Sequence, residues 1–305
     1  MRKDFSKIAF DIIVVAGQSN AEGYSVSLDS EPLVISDAYE IIDKNKFGMK
    51  LKEDGSYGGL DFVYPVETII RELQERRSND GTYCCDLSLS FVEKYKKSRF
   101  YSPDRKILVI KTGYGGSGFA FDQQGVGNPL YIRTLDMINI GLSLNKENRI
   151  VAFLWHQGEH DAYENAWFTY KERYEYYYSN LLKMFLGFKE YYKQFDFPII
   201  TGGLCRDWVK RYKEQSKAVE NATIDVCEKI GNARFVQASD LSSNAEEIHN
   251  GDLDHFSKRS MLILGERYFD AFASLKNNKK TYLKVDLFMS YVCPKSYRSF
   301  LANFG

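Results

Sequence analysis

IIVVAGQSNAEG, residues 12–23, joins an apolar run to a polar one with no spacer. Ile12 to Ala16 is continuous and mostly β-branched, the pattern of a strand covered on both faces of a parallel sheet. It stops at Gly17, and three polar side chains, Gln18, Ser19 and Asn20, follow at once. A glycine lets the chain turn sharply at the end of such a strand. That turn stands Ser19 at the carboxyl edge of the sheet, where open α/β sheets bind ligands.

Four more stretches carry the same signature: KILVIKTG (106–113), IVAFLWHQG (150–158), FPIITGG (197–203) and RFVQAS (234–239). Each ends in glycine or small polar residues. Helical patterns fill the intervals: DFVYPVETIIRELQERR (61–77), LSLSFVEKYKK (87–97), NPLYIRTLDMINIGLSL (128–144), the long segment 164–195, residues 207–230 and residues 257–275. This alternation predicts an α/β sandwich with a central parallel sheet, its right-handed crossovers placing helices on both faces. Residues 43–60 are a polar, Gly-rich excursion expected to be loop. Residues 276–305 are expected to form a C-terminal extension packed on a domain spanning 1–275.

The totals exclude several function classes. Lys and Arg number 41, Asp and Glu 41, so no basic footprint for nucleic acid is present. No run of 18 apolar residues occurs, so no membrane-spanning helix is expected. The five cysteines are odd in number, irregularly spaced and lack a C-x-x-C pair, which points to reduced thiols. His156 and His160 flank Glu159 at helical spacing, but at the end of a strand, so neither a metal nor another cofactor is expected. Asp4 and Asp11 interrupt the apolar N-terminal segment, and no small-residue cleavage site follows. No signal peptide is therefore expected, which favours a cytoplasmic location and a soluble substrate.

The unusual polar residues fall at the ends of the strands. The first ends in Gly17-Gln18-Ser19-Asn20, the second in GYGGSG (113–118), the third in WHQGEHD (155–161). GDLDHFS (251–257) opens the last helix. A parallel sheet gathers all four along one edge. Ser19 is then a candidate nucleophile, His255 its base, and Asp252, three residues earlier, the group that orients the imidazole. Oxyanion donors could come from the Ser19 N–H, a glycine N–H at Gly115 or Gly116, and the Gln157 side-chain amide.

GQSN, GGS, WHQGExD and DxxHFS…LGxR, in this order, resemble the SGNH hydrolase superfamily. Within it they are similar to the carbohydrate acetylesterase branch that includes sialate O-acetylesterases and acetylxylan esterases. The resemblance covers most of residues 10–272. It implies a flavodoxin-like three-layer α/β/α fold and removal of O-acetyl groups from a carbohydrate, without a metal. By motif position it makes Ser19 the nucleophile, Asp252 and His255 the rest of the triad, and Gly116 or Gly115 with Gln157 the oxyanion hole. Gln18, Asn20, Glu159 and Asp161 would support these blocks. Ala21 stands where Met is common, which bears on pocket shape.

Other readings compete. Taken singly, Gly-Gln-Ser-Asn is a turn and Asp-x-x-His a helix cap; their joint occurrence at strand and helix ends favours the esterase. Gly113, Gly115 and Gly118 match a dinucleotide fingerprint, but no helix opens at once after them. Glu22 and Glu159 could pair for glycoside hydrolysis, yet the serine machinery explains the same loops. A sugar O-acyltransferase on this scaffold and a non-catalytic carbohydrate-binding relative remain open. Trp155 is either core or a substrate platform. Arg206, after the fourth strand, either reads a sialic acid carboxylate or makes a surface ion pair.

Overall fold

The computed structural model describes residues 4–44, 48–51, 57–61, 66–164 and 166–277. In chain order the strands are β1 (Phe10–Gly17), β2 (Ser25–Ser27), β3 (Val34–Asp43), β4 (Gly48–Leu51), β5 (Tyr57–Asp61), β6 (Thr68–Gln74), β7 (Arg76–Arg77), β8 (Tyr83–Cys85), β9 (Lys106–Lys111), β10 (Arg149–His156), β11 (Ile199–Gly202) and β12 (Ala233–Val236). The helices are α1 (Ser19–Glu22), α2 (Ser88–Lys96), α3 (Pro129–Ser143), α4 (Glu159–Tyr163), α5 (Tyr170–Tyr191), α6 (Arg206–Arg211), α7 (Lys213–Ile230), α8 (Asn244–Ile248) and α9 (Lys258–Asn277).

The main sheet has seven strands in the order β12-β11-β10-β1-β9-β3-β6. All pairs are parallel except β3 with β6. Leaving aside β3 and β6 at one edge, the order is that of a flavodoxin-like sheet, and the three-layer α/β/α fold is the one expected. Every residue of β1 is buried, because helices cover both faces of the central strand. The strand order reverses beside β1: the chain moves outward to β9 on one side and to β10 on the other. That reversal opens a crevice beyond the carboxyl end of β1, where Ser19 begins α1.

Three expectations are corrected. Within the helical pattern of 61–77, Thr68–Gln74 and Arg76–Arg77 are in fact strand, with β6 pairing antiparallel to β3 and β7 to β8, and residues 62–65 lie outside the described residues. Glu, Arg and Leu favour helix, but Thr68, Ile69 and Ile70 are β-branched, and β3 offers an open edge. An edge strand also tolerates charges on its solvent side, which reads as helical amphipathicity. The described part of the 43–60 excursion is not loop: β4 and β5 pair antiparallel. The segment 207–230 is two helices, α6 and α7, broken at Tyr212, whose φ of −123° and ψ of 55° leave the helical region. Beyond Asn277, the expected extension lies outside the described residues.

Candidate active site

Gly17 ends β1 with φ +132°, and a Cβ there would lie 1.9 Å from the His156 carbonyl oxygen. Only glycine allows β1 and β10 to close so tightly while the chain turns. The same carbonyl accepts the Gln18 N–H at 3.0 Å. Gln18 then ties the first block to the third: its Oε1 accepts from Gln157 Nε2 at 3.1 Å, the His160 N–H at 3.1 Å and the Gly158 N–H at 3.4 Å. Asn20 ties the first block to the fourth: its Nδ2 donates to Glu159 Oε1 at 2.6 Å and to the Asp254 carbonyl at 3.1 Å, and its Oδ1 accepts the Phe256 N–H at 3.2 Å. These two anchors hold the chain on either side of Ser19. Its side chain lines a cavity of about 1080 Å³.

His255 lines the same cavity. Its Nδ1 lies 2.9 Å from Asp252 Oδ2 and 3.0 Å from Oδ1, which leaves Nε2 as the ring nitrogen free for proton transfer. Asp252 Oδ1 also accepts the Asp254 and His255 backbone N–H groups, both at 3.1 Å, and Oδ2 accepts Asn244 Nδ2 at 2.9 Å. Burial raises the Asp252 carboxyl, but the His255 hydrogen bond and charge and the Asn244 amide outweigh it, so it sits below the usual carboxylate range. Burial likewise disfavours the His255 imidazolium, yet the Asp252 hydrogen bond and charge hold the ring above its ordinary value. The Tyr24 ring stacks on His255 at 5.0 Å, and the Arg76 guanidinium lies 4.6 Å above the opposite partner, Tyr24.

The third block is a buried scaffold. Asp161 accepts the Phe119 and Ala120 N–H groups at 3.0 Å each and Gln157 Nε2 at 2.7 Å, pinning the glycine-rich loop to α4. Burial lifts its carboxyl above the ordinary value. Glu159 lies 3.5 Å from His156 Nε2. Burial opposes its charge, but His156 and Asn20 hold it below the ordinary value.

Two oxyanion expectations do not match their positions, and the two either-or substrate-binding readings resolve to core and to ion pair. Gln157 is buried, and its Nε2 already faces Gln18 Oε1, Asp161 Oδ2 and the Ser117 carbonyl, so it offers nothing to an oxyanion in this arrangement. The Gly115 N–H is also engaged, donating to Glu22 Oε2 at 2.7 Å. Gly116 is better placed: among the described residues its N–H, like that of Ser19, has no acceptor. Trp155 is 1% exposed and stacks on Phe119 in the core, out of a substrate's reach. Arg206 pairs with Glu246 and Asp207 and does not line the cavity.

Several cavity residues escaped sequence reasoning. Tyr163, Trp208 and Tyr212 form an aromatic wall, with ring centroids 5.7 Å apart for Tyr163 and Tyr212 and 4.4 Å for Trp208 and Tyr212. Arg211 lines the same side, its guanidinium 5.3 Å from the Tyr212 ring. Glu22 was visible only as half of a glycosidase pair, although its position three residues after Ser19 puts both on one face of a helical turn. Asn244 carries no motif at all.

A family model described as carbohydrate esterase, sialic acid-specific acetylesterase, matches residues 9–274. Among solved structures, the crystal structure of NanS aligns with a TM-score of 0.65 at 17% identity, covering 88% of this chain and 98% of that one. A protein from Arabidopsis thaliana aligns with a TM-score of 0.61 at 17% identity, covering 87% and 98%. At such identities the two structures speak for the fold alone. A comparison with curated proteins returned no match. The family match over most of the chain decides the matter: this protein belongs to the carbohydrate esterase family of sialic acid-specific acetylesterases.

Proposed function

We propose that Ser19, His255 and Asp252 carry out the O-deacetylation that family membership assigns to this chain, through an acyl-serine intermediate. The reaction class is carboxylic ester hydrolysis on an acetylated carbohydrate. The observation that supports the residue assignment is the Asp252–His255 pair, 2.9 Å apart, opening onto the cavity that Ser19 also lines. Ser19 Oγ attacks the acetyl carbonyl as His255 Nε2 takes its proton. The N–H groups of Ser19 and Gly116 receive the oxyanion. The imidazolium of His255 then protonates the sugar oxygen as its bond to the acetyl carbon breaks, and a water activated by the same nitrogen releases acetate.

For the sugar, O-acetylated sialic acid fits best. Among the described residues four cations line the cavity: Lys44, Arg76, Arg133 and Arg211. Arg133 is engaged by Asp43 at 3.2 Å, and Arg76 donates to the Gly23 carbonyl. Arg211 makes no ion pair among the described residues and takes the carboxylate-reading role first given to Arg206. The aromatic wall beside it offers a flat face for the pyranose ring.

Acetate release from an O-acetylated sialic acid and from p-nitrophenyl acetate tests the assignment. Ser19→Ala should bring both to background. Undiminished turnover by that variant would place the nucleophile elsewhere.

A further inference from the structure

Glu22 is a carboxylate that the deacetylation chemistry does not require. It closes α1 one turn after Ser19 and lines the cavity with Ser19 and His255. Its Oε2 accepts the Gly115 N–H at 2.7 Å, whereas among the described residues Oε1 has no hydrogen-bond partner. Glu22, Ser19 and Tyr24 converge on one place: a Cβ built on Gly115 would meet Glu22 Oε2 at 3.4 Å, Ser19 Cβ at 3.6 Å and the Tyr24 hydroxyl at 3.6 Å. The carboxylate and the nucleophile are therefore no further apart than a sugar ring and its substituents span.

Burial raises the Glu22 carboxyl above its ordinary value, against the Gly115 N–H and the charges of Arg76, Arg133 and His255; in its ionised form it only accepts hydrogen bonds. Left uncapped beside a developing oxyanion, its charge opposes the transition state. Arg76, Arg133 and His255 offset part of its charge from a distance, but among the described residues no cavity cation donates a hydrogen bond to Oε1: Arg76 donates to the Gly23 carbonyl and Arg133 to Asp43 and the Thr112 carbonyl. The missing donor has to arrive with the substrate. A carbohydrate can supply it wherever the carbon next to the acetylated one carries a hydroxyl, as along the glycerol chain of a sialic acid.

We propose that Glu22 is a specificity-determining residue: Oε1 accepts a hydrogen bond from a substrate hydroxyl vicinal to the acetylated one, while Oε2 holds the loop that presents the Gly116 N–H. This rests on the acyl-serine assignment at Ser19. Esters with a neighbouring hydroxyl satisfy the carboxylate. Simple alkyl esters leave it unpaired, and sites built to hydrogen-bond a hydroxyl reject analogues lacking it.

The test compares wild type with Glu22→Gln on glycerol monoacetate and n-propyl acetate, esters of similar size that differ in vicinal hydroxyls. The Gln amide oxygen can still take the Gly115 N–H, but a donor replaces the second carboxylate oxygen. Wild type should favour the glycerol ester in kcat/KM by about ten-fold or more, and Glu22→Gln should lose most of that preference. No preference in wild type, or an undiminished one in the variant, overturns the proposal. A second measurement does not depend on turnover. Calorimetry on Ser19→Ala, with and without Glu22→Gln, uses an N-acetylneuraminic acid esterified on the terminal glycerol carbon, beside a free hydroxyl. The double variant should bind about ten-fold more weakly; equal affinity, or no binding to Ser19→Ala, overturns the proposal. Failure of the Ser19 assignment shows separately, as p-nitrophenyl acetate turnover that survives Ser19→Ala.

Discussion

Replacing Asp252 by Asn removes one charge and almost no volume, and its surroundings dictate which way the new amide must face. Oδ1 accepts two backbone N–H groups, from Asp254 and His255, so that position must remain an oxygen. The amide nitrogen then takes the Oδ2 position, 2.9 Å from both His255 Nδ1 and Asn244 Nδ2. Asn244 cannot flip to accept from it, because its Nδ2 also donates to the Tyr24 carbonyl at 3.0 Å and its Oδ1 accepts the Val26 N–H at 3.2 Å. His255 Nδ1 then meets a donor at 2.9 Å, while the oxygen kept 3.0 Å away is already shared by two backbone N–H groups, which favours turning the Nδ1 lone pair to the new donor and carrying the proton on Nε2. In that tautomer it cannot take the proton of Ser19. Turnover should fall by roughly 10³- to 10⁴-fold with KM little changed, the magnitude expected when a triad His is held in the wrong tautomer.

The acid limb of kcat/KM should move as well. In wild type His255 is held above its ordinary 6.5, because Asp252 outweighs the burial that disfavours imidazolium. The base must be neutral, so activity rises with pH through a limb lying above 6.5. Without the Asp252 carboxylate, burial is opposed only by the charges of Glu159 and Asp254, and the limb should move to lower pH. The assay is the pH dependence of acetate release by wild type and Asp252→Asn. Turnover within ten-fold of wild type, or an unmoved limb, would refute the role given to Asp252.

Two further substitutions probe the scaffold. Gly17→Ala forces a Cβ to within 1.9 Å of a backbone carbonyl at φ +132° and should cost about 4 kcal/mol or more, a fall in Tm of about 8 °C or more; a Tm within 2 °C of wild type would contradict the close approach of β1 to β10. Asn20→Ala removes three hydrogen bonds and leaves the buried Glu159 short of a donor. Stability should drop by roughly 2–4 kcal/mol by denaturant titration, with turnover falling at least several-fold because the His255 segment loses its tie to Ser19. Full activity with unchanged stability would show that this tie is not needed.

Each of the four blocks was legible because its requirement is local. A buried strand that stops on glycine and polar residues must turn there, whatever surrounds it, and four such stops in one alternating pattern share one sheet edge. Ser19, His255 and Asp252 become candidates on that edge by their residue chemistry, whereas the supporting character of Gln18 and Asn20 came with the family resemblance. The segment 68–74 was misread for the opposite reason. Its charges suit a helix face and an edge strand alike, and the choice was made by the free edge of β3, which is distant in sequence.

The same distinction runs through the site. Sequence alone determined most of the element types, the strand-end location of the motifs and which residues are the candidate nucleophile, base and orienter, because backbone geometry and residue chemistry act over a few positions. Only the tertiary structure decided where each remaining polar group points. Gln157 turned to Gln18 and Asp161, Arg206 to Glu246, the Gly115 N–H to Glu22, and Trp155 into the core. A polar side chain takes whichever partner the packed chain brings within about 3 Å, and those partners come from other blocks, tens of residues away.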